Sequence, residues 1–233
     1  MTSLLFRRCL AEFVGTFAIV FAPVALSGAK TLTGADTSLA AASWVSGLIV
    51  LCMIYALGHV SAAHFNPAVT LAFASAKRFP ARYVPHYLGS QLAGGIVAAG
   101  VCAFLFGAGH GVHIPGVDSL RAFVMEALLS FLLMLVILSV ATDKRAAGGF
   151  PGIAIGLVVV VDVWIGGAVT GGSMNPARSL GPALFGGSVP LSHLWIYLSA
   201  PVLGAVCASR LYEVLRGGEA HAQSAPTDWE ESP

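Results

Sequence analysis

Asn66-Pro67-Ala68 and Asn175-Pro176-Ala177 are two copies of one triplet, one in each half of the chain. Asn is a favoured N-cap and Pro suits the first helical position, so each triplet predicts the start of a helix. The apolar runs that follow, residues 68–76 and 177–185, are too short to cross a bilayer, because a ten-residue helix covers only about 15 Å of a core roughly 30 Å thick. The triplets therefore predict two half-helices whose N-termini meet near the middle of a membrane.

Composition supports a membrane setting. The chain is 57% hydrophobic and 10% charged, with a mean hydropathy of +0.83, whereas about a quarter of the residues in a soluble domain are charged. Six apolar stretches approach the ~20 residues that a transmembrane helix needs, at residues 10–28, 39–58, 84–107, 121–142, 150–170 and 193–215. The sequence therefore predicts an all-α membrane protein with six transmembrane helices and two re-entrant half-helices. A net charge of +1 and the lack of a basic patch argue against a nucleic-acid partner.

The two halves of the chain form an internal repeat. Glu12 in the first apolar stretch recurs as Glu126 in the fourth, and Tyr87 in the third recurs as Tyr197 in the sixth. Each half holds three stretches, an odd number, so the second half enters the membrane from the opposite side. Inverted repeats place the working site near the midplane, and these repeats cover about residues 8–107 and 119–215. We expect one channel-forming domain at 1–216 and a polar, disordered cytoplasmic tail at 217–233.

The distribution of Lys and Arg predicts the orientation. Six spans with an internal N-terminus place most cations on the cytoplasmic side, namely Arg7, Arg8, Lys77, Arg78, Arg82, Lys144, Arg145, Arg210 and Arg216. The alternative, a cleaved secretory signal, is disfavoured because the first stretch contains Glu12 and is as long as the others. We therefore expect a multi-pass protein of the plasma (inner) membrane with both termini in the cytoplasm.

The two pore loops of the aquaporin (major intrinsic protein) family resemble two segments of this chain, HVSAAHFNPAVT at 59–70 and GGSMNPARS at 171–179. The resemblance extends over about residues 8–215. It implies a passive channel for water and small uncharged solutes that excludes protons and ions. It further implies a homotetramer with one pore per subunit, no enzymatic activity, and neither a cofactor nor a metal.

A secondary transporter is the alternative, because transporters also use inverted repeats and broken helices. Coupled transport normally needs an ion site or a proton relay, and Asp162 is the one candidate in the apolar stretches. Twin Asn caps followed by Arg178 favour a static pore instead. Asp162 itself has two readings: it lies near the outer mouth and biases solutes, or it is buried and either neutral or paired.

The resemblance assigns roles to the residues of the two loops. Asn66 and Asn175 donate N–H groups to a passing solute, while their own carbonyls bind the half-helix N-termini. The positive ends of the two half-helix dipoles oppose protons and cations. Buried Glu12 and Glu126 accept hydrogen bonds from the re-entrant loops. Extended backbone before each cap is predicted to present carbonyls to the pore, at Ala62, Ala63, His64, Phe65, Gly171, Ser173 and Met174.

By the same resemblance, four residues form the narrow outer filter: Ser46, Val163, Gly172 and Arg178. Water-selective members carry an aromatic residue and a His at the first two of these positions, so this chain is predicted to have an unusually wide, non-aromatic filter. Glycerol, urea and undissociated metalloid acids such as arsenious or silicic acid would fit. Ser179 stands where glycerol facilitators typically carry Asp, which leaves the solute open. An arginine inside an apolar half-helix indicates an aqueous path.

Histidine gives one further prediction. His64 resembles a family histidine that braces the turn before the first cap. The remaining histidines show no ligand spacing and are assigned no functional role; they are His59, His86, His110, His113, His193 and His221.

Overall fold

A computed structural model describes residues 3–34, 37–143, 145–146 and 150–217. The tail predicted to be disordered therefore lies outside the described residues from 218 onward. The described part contains eight α-helices and a short 3₁₀ turn at Ala81–Tyr83. The helices are α1 Ser3–Thr33, α2 Leu39–Ser61, α3 Pro67–Ser75, α4 Val84–Phe106, α5 Ser119–Thr142, α6 Pro151–Gly166, α7 Pro176–Phe185 and α8 Ser188–Arg216.

Six long helices and two half-helices confirm the predicted all-α membrane fold. Among the described helices, α1, α2, α4, α5 and α8 are long and apolar enough to cross a bilayer. The half-helices α3 and α7 have 9 and 10 residues and begin at the Pro of each triplet, as the capping rules predict. Helix α6 is apolar apart from Asp162 but has only 16 residues, a length of about 24 Å.

The prediction of a continuous span over 150–170 was therefore too long. Helix α6 ends at Gly166, and the chain continues in hydrogen-bonded turns in which Thr170 N–H donates to the Gly166 carbonyl at 2.8 Å. At Gly171 the backbone adopts φ +94°, which ends the turn and starts the second re-entrant loop.

Helix packing follows the inverted repeat. Helix α1 packs on α4 and α5 packs on α8, so the first and third helices of each half are partners. The half-helices cross over between the repeats, because α3 packs against α8 and α7 packs against α4. Helices α2 and α6, the middle helices of the two halves, pack against each other. Each half therefore completes the other, and the two re-entrant loops meet in the interior.

Glycines permit the closest helix contacts. A Cβ atom on Gly94 of α4 would lie 2.4 Å from the Phe13 carbonyl oxygen of α1, and one on Gly204 of α8 would lie 1.9 Å from the Ala127 carbonyl oxygen of α5. The two contacts are equivalent in the repeat. Small residues at such crossings let backbones approach closely, which is how helices associate inside a bilayer.

We predict that Gly204→Ala lowers the free energy of unfolding by about 1–3 kcal/mol, because the added methyl group overlaps the α5 backbone and forces the helices apart. The measurement is thermal unfolding of the purified protein in detergent. Gly89→Ala is the matched control, since Gly89 is an exposed glycine of α4 and a methyl group added there would meet no atom within 4 Å. Alanine should be neutral or slightly stabilising at that position. Equal unfolding midpoints for the two variants would contradict the packing argument.

Candidate pore and selectivity filter

The two Asn caps form a reciprocal pair across the repeat. The Asn66 side-chain oxygen accepts a hydrogen bond from Ala68 N–H at 2.9 Å, and the Asn175 oxygen accepts one from Ala177 N–H at 2.9 Å. The Asn66 Nδ2 group donates to the Met174 carbonyl at 2.8 Å. These bonds fix the orientation of each side-chain amide, because each amide oxygen accepts a hydrogen bond from the backbone of the half-helix that it caps.

The second half of the pair has the same geometry. Asn175 Nδ2 donates to the Phe65 carbonyl at 2.9 Å. An Asn amide carries two N–H groups, so each cap keeps one donor beyond this bond. Asn66 and Asn175 both line the interior cavity, whereas the Pro and Ala residues of the triplets are buried behind them.

The backbone before each cap is curled, so the prediction of extended segments was wrong. Left-handed φ values occur at Ala62 (67°), Ala63 (52°), Phe65 (48°) and Met174 (55°). Alternating left-handed residues turn successive N–H groups to one side, which suits the binding of an anionic group. Such a conformation costs a non-glycine residue about 1–2 kcal/mol, so something must hold the loops in place.

Glu12 holds the first loop. Its Oε1 accepts hydrogen bonds from the Ser61 hydroxyl at 2.7 Å and from His64 N–H at 3.0 Å. Its Oε2 accepts from Phe65 N–H at 2.7 Å and from Gln91 Nε2 at 2.8 Å. The carboxyl group has no exposed surface, and both of its oxygens are fully used.

Glu126 holds the second loop in the same way. Its Oε1 accepts from the Thr170 hydroxyl at 2.6 Å and from Ser173 N–H at 3.0 Å, and its Oε2 accepts from Met174 N–H at 2.8 Å. Tyr197 adds a bond from its hydroxyl to the Thr170 carbonyl at 2.6 Å. Tyr87 makes the equivalent bond in the first half, to the Ser61 carbonyl at 2.9 Å.

Two histidines lie behind the caps, and sequence reasoning assigned a role to only one of them. His64 Nδ1 bonds the hydroxyl of Thr70, four residues after the first Asn, at 3.0 Å. His113 Nδ1 bonds the hydroxyl of Ser179, four residues after the second Asn, at 2.8 Å. Because His64 belongs to the first loop and His113 to the α4–α5 connection, the repeat gives no signal for His113 in the sequence.

Both Asn caps line one cavity, which has a volume of about 1270 Å³. The residues predicted for the filter all line it, as do the seven residues predicted to present backbone carbonyls. Apolar side chains form much of the remaining wall, including Val50, Ile54, Val69, Phe73, Leu133, Ile137, Ile155 and Val159. Apolar walls interrupted by a few polar groups are typical of a permeation path.

Arg178 lines this cavity and is fixed in place by hydrogen bonds. Its Nη1 donates to the Gly111 carbonyl at 2.8 Å, and its backbone N–H approaches the Asn175 side-chain oxygen at 3.4 Å. Gly111 has φ +65°, and a Cβ atom there would lie 2.5 Å from Val24 Cγ2. The α4–α5 connection therefore brings its carbonyl to the guanidinium only because residue 111 is glycine.

The other filter residues are held by their helices. The Ser46 hydroxyl donates to the Ala42 carbonyl at 2.8 Å, so its proton is engaged by its own helix. Gly172 has φ +61°, and a Cβ atom on it would lie 3.1 Å from Val163 Cα. The four residues predicted for the filter thus bring a small hydroxyl, an apolar side chain, a glycine backbone and one guanidinium to the cavity lining.

Asp162 does not reach the cavity. It is fully buried, it is not among the lining residues, and neither of its carboxyl oxygens accepts or donates a hydrogen bond within the described part of the chain. Its placement at the outer mouth, the first of the two readings, is therefore wrong. The structure supports a buried side chain that is unpaired with the described residues.

Arg78 and Asp143 line the cavity, and each is paired with an opposite charge that lies outside the lining. The Arg78 guanidinium lies 2.6 Å from the Glu213 carboxylate, and Arg145 lies 2.7 Å from Asp143. Tyr212 also donates its hydroxyl to Asp143 at 2.7 Å. Hydrogen bonds from the Arg145 side chain and backbone hold the pKa of Asp143 well below its usual range. These pairs connect the end of α5 and the segment after α3 to the end of α8.

Membrane-spanning helices around a cavity lined by two Asn amides and a fixed arginine define a membrane channel with a central polar site. The chain belongs to the major intrinsic protein family, whose family model matches residues 1–212. It is therefore a multi-pass membrane protein that conducts water and small neutral solutes passively. The family consists of channels, so the chain is not an enzyme, and the secondary transporter is discarded.

Individual relatives agree with the assignment. Nodulin-26 of Glycine max is 45% identical over 213 residues, which cover 90% of this chain and 78% of that protein. Aquaporin NIP3-1 of Arabidopsis thaliana is 44% identical over 220 residues, covering 90% of this chain and 68% of that protein. A solved structure of the aquaglyceroporin from Plasmodium falciparum aligns with a TM-score of 0.83 and 25% identity, covering 91% of this chain and 97% of that one.

The same chemical change at two buried carboxyl groups should give different results. We predict that Glu126→Gln lowers the free energy of unfolding by about 2 kcal/mol or more, because an amide N–H₂ then faces backbone donors that lose their acceptor. Asp162→Asn is the matched control, since no described residue donates to that carboxyl group. Thermal unfolding in detergent is the measurement. A midpoint for Glu126→Gln as high as that of Asp162→Asn would contradict the bracing role.

Proposed function

We propose that the channel conducts water together with small neutral hydroxylated or amide solutes, and that it excludes protons and other ions. Glycerol, urea and undissociated metalloid acids such as arsenious acid are the solute classes in question. The observation that carries the proposal is the composition of the outer opening, where Ser46 and Val163 leave space that ring side chains would fill. The nearby Arg178 supplies N–H donors for solute oxygens.

Proton exclusion follows from the caps. Asn66 and Asn175 each present a remaining N–H group at the point where the two half-helix N-termini meet. A water molecule that accepts from both amides directs its own hydrogens away from the centre in both directions, which interrupts a proton wire. The positive ends of α3 and α7 add an electrostatic barrier to cations at the same point.

Backbone carbonyls on the lining supply acceptors along the path. Ala62, Ala63, Gly171 and Ser173 are the candidates, since the Phe65 and Met174 carbonyls already accept from the opposite Asn. Polar backbone at membrane depth is stable where it borders water, so these carbonyls support a hydrated path. Glu12 and Glu126 act as supports of the loops and do not line the cavity.

We further propose a plasma-membrane (inner-membrane) location with both termini in the cytoplasm, on the strength of the Lys and Arg distribution. A channel domain over 1–216 and a homotetramer with one pore per subunit complete the proposal. Large apolar side chains on the outer surface, such as Phe104, Leu120 and Val214, support contact with lipid or with a neighbouring subunit.

Purified protein in liposomes should accelerate osmotic water flow and glycerol entry while an imposed pH gradient persists. Stopped-flow light scattering reports the volume change, and an encapsulated pH dye reports proton flow. Protein-free liposomes give the background, and a proton ionophore gives the positive control. Rapid collapse of the gradient through the protein would overturn proton exclusion. Water flow without passage of any larger solute would overturn the wide filter.

Larger side chains at positions 46 and 163 should narrow the proposed filter. We predict that Ser46→Phe combined with Val163→His keeps water flow but lowers glycerol entry by tenfold or more, a barrier increase of about 1.4 kcal/mol. The measurement is the glycerol-to-water flux ratio in liposomes at matched protein density.

Ser90→Phe is the matched control for the filter variant. The Ser90 hydroxyl donates to the His86 carbonyl within its own helix, as Ser46 does to Ala42, but Ser90 is outside the cavity lining. Its flux ratio should equal that of the wild type. An unchanged ratio in the folded double variant would mean that the filter lies elsewhere in the pore.

A further inference from the structure

His113 lies beside the proposed filter, although it belongs to a connection between helices. The residue is only 4% exposed, and it is one of the residues that line the cavity. Gly111, two residues earlier, accepts the hydrogen bond that fixes Arg178. A Cβ atom on Gly171 would lie 2.4 Å from His113 Cδ2, so the ring rests directly on the backbone that precedes Gly172.

Hydrogen counting fixes the tautomer of this histidine. Ser173 donates its hydroxyl proton to the Asn175 carbonyl at 3.0 Å, because a carbonyl can only accept. The Ser173 hydroxyl also lies within hydrogen-bond distance of the Ser179 hydroxyl, and Ser173 has no second proton to give. Ser179 is therefore the donor in that bond. His113 Nδ1 must then carry the proton that it shares with Ser179 at 2.8 Å.

The other ring nitrogen is left as an acceptor. Burial and the nearby Arg178 charge lower the pKa of His113 well below its usual range, so the ring is neutral and Nε2 keeps its lone pair. Nε2 forms no hydrogen bond with any described residue. It is also not one of the polar atoms that the described residues bury completely without a partner. Because His113 borders the cavity and its Nε2 is neither bonded nor fully buried among the described residues, we take this lone pair to be available to the cavity contents.

We propose that His113 is a specificity-determining residue of the outer filter, whose Nε2 accepts a hydrogen bond from a solute that also accepts one from Arg178. The pairing of an acceptor with a donor suits neutral solutes that carry O–H or N–H groups beside an oxygen. Polyols, urea and undissociated hydroxy acids have this arrangement. The inference rests on the proposed function of the filter and adds a fifth group to it.

A purely structural role is the competing explanation, since His64 makes an analogous bond to Thr70 behind the first cap. Two substitutions separate the roles. His113→Asn places an amide donor where Nδ1 stands and so retains the bond to Ser179, but it removes the acceptor from the cavity. His113→Gln extends an amide oxygen to the position of Nε2 and gives up the bond to Ser179.

The experiment compares wild type, His113→Asn and His113→Gln in liposomes at matched protein density. Water, glycerol and urea fluxes are recorded by stopped flow, and thermal unfolding in detergent is recorded for each protein. The Asn variant should lower the glycerol-to-water and urea-to-water ratios about fivefold to tenfold, as expected for the loss of one hydrogen bond. The Gln variant should keep both ratios within about twofold, even if its unfolding midpoint falls.

The outcomes are separable. Reduced ratios in the Asn variant with retained ratios in the Gln variant support the proposal, and any other pattern in folded proteins overturns it. If wild type itself passes water alone, the proposed function fails and the solute comparison fails with it. Should the Asn variant not fold, His113→Leu replaces it, since it gives up the bond to Ser179 as the Gln variant does but offers no acceptor to the cavity. Ratios in His113→Leu equal to those of His113→Gln would then overturn the proposal.

Discussion

Backbone polar groups at membrane depth must find partners within the protein, and this constraint governs the pore. An unsatisfied group costs several kcal/mol where no water is present. The first re-entrant loop leaves α2 at Ala62, and the second begins at Gly171 after the turns that follow α6. Glu12 and Glu126 accept hydrogen bonds from the backbone N–H groups of these loops. The residues before each cap keep their left-handed backbone conformation because hydrogen bonds to the two carboxylates hold the loops in that geometry.

The two re-entrant loops also depend on each other. Each Asn caps its own half-helix with its oxygen and bonds the opposite loop with its nitrogen, so neither loop has its final geometry without the other. Because α3 packs on α8 and α7 on α4, the same exchange occurs at the level of whole helices. The polar centre of the channel is therefore a product of the repeat, and it lies where the two halves meet.

Local rules explain what the sequence could predict. Asn, Pro and a short apolar run specify a capped half-helix without tertiary information, and the family resemblance located Ser46, Val163, Gly172 and Arg178. Non-local contacts decided the rest. The left-handed conformation at Phe65 depends on Glu12, which is 53 residues away, and the position of the His113 ring depends on Ser179, which is 66 residues away. Helix α6 ends before the segment that Glu126 holds through Thr170, Ser173 and Met174, and hydropathy alone does not predict such contacts.

The side chains of the proposed filter can vary because helices α2 and α6, which carry two of them, pack rigidly against each other. Ser46 precedes Gly47, where a Cβ atom would lie 2.3 Å from the Gly156 carbonyl oxygen, so α2 and α6 touch backbone to backbone next to the opening. Ser46 of α2 and Val163 of α6 both line the cavity. Arg178, in contrast, is tied to the Gly111 carbonyl and to its own half-helix, which leaves little freedom at that corner. In the filter that we propose, two replaceable side chains set the width of the opening, while its charge comes from a residue that the scaffold holds in place.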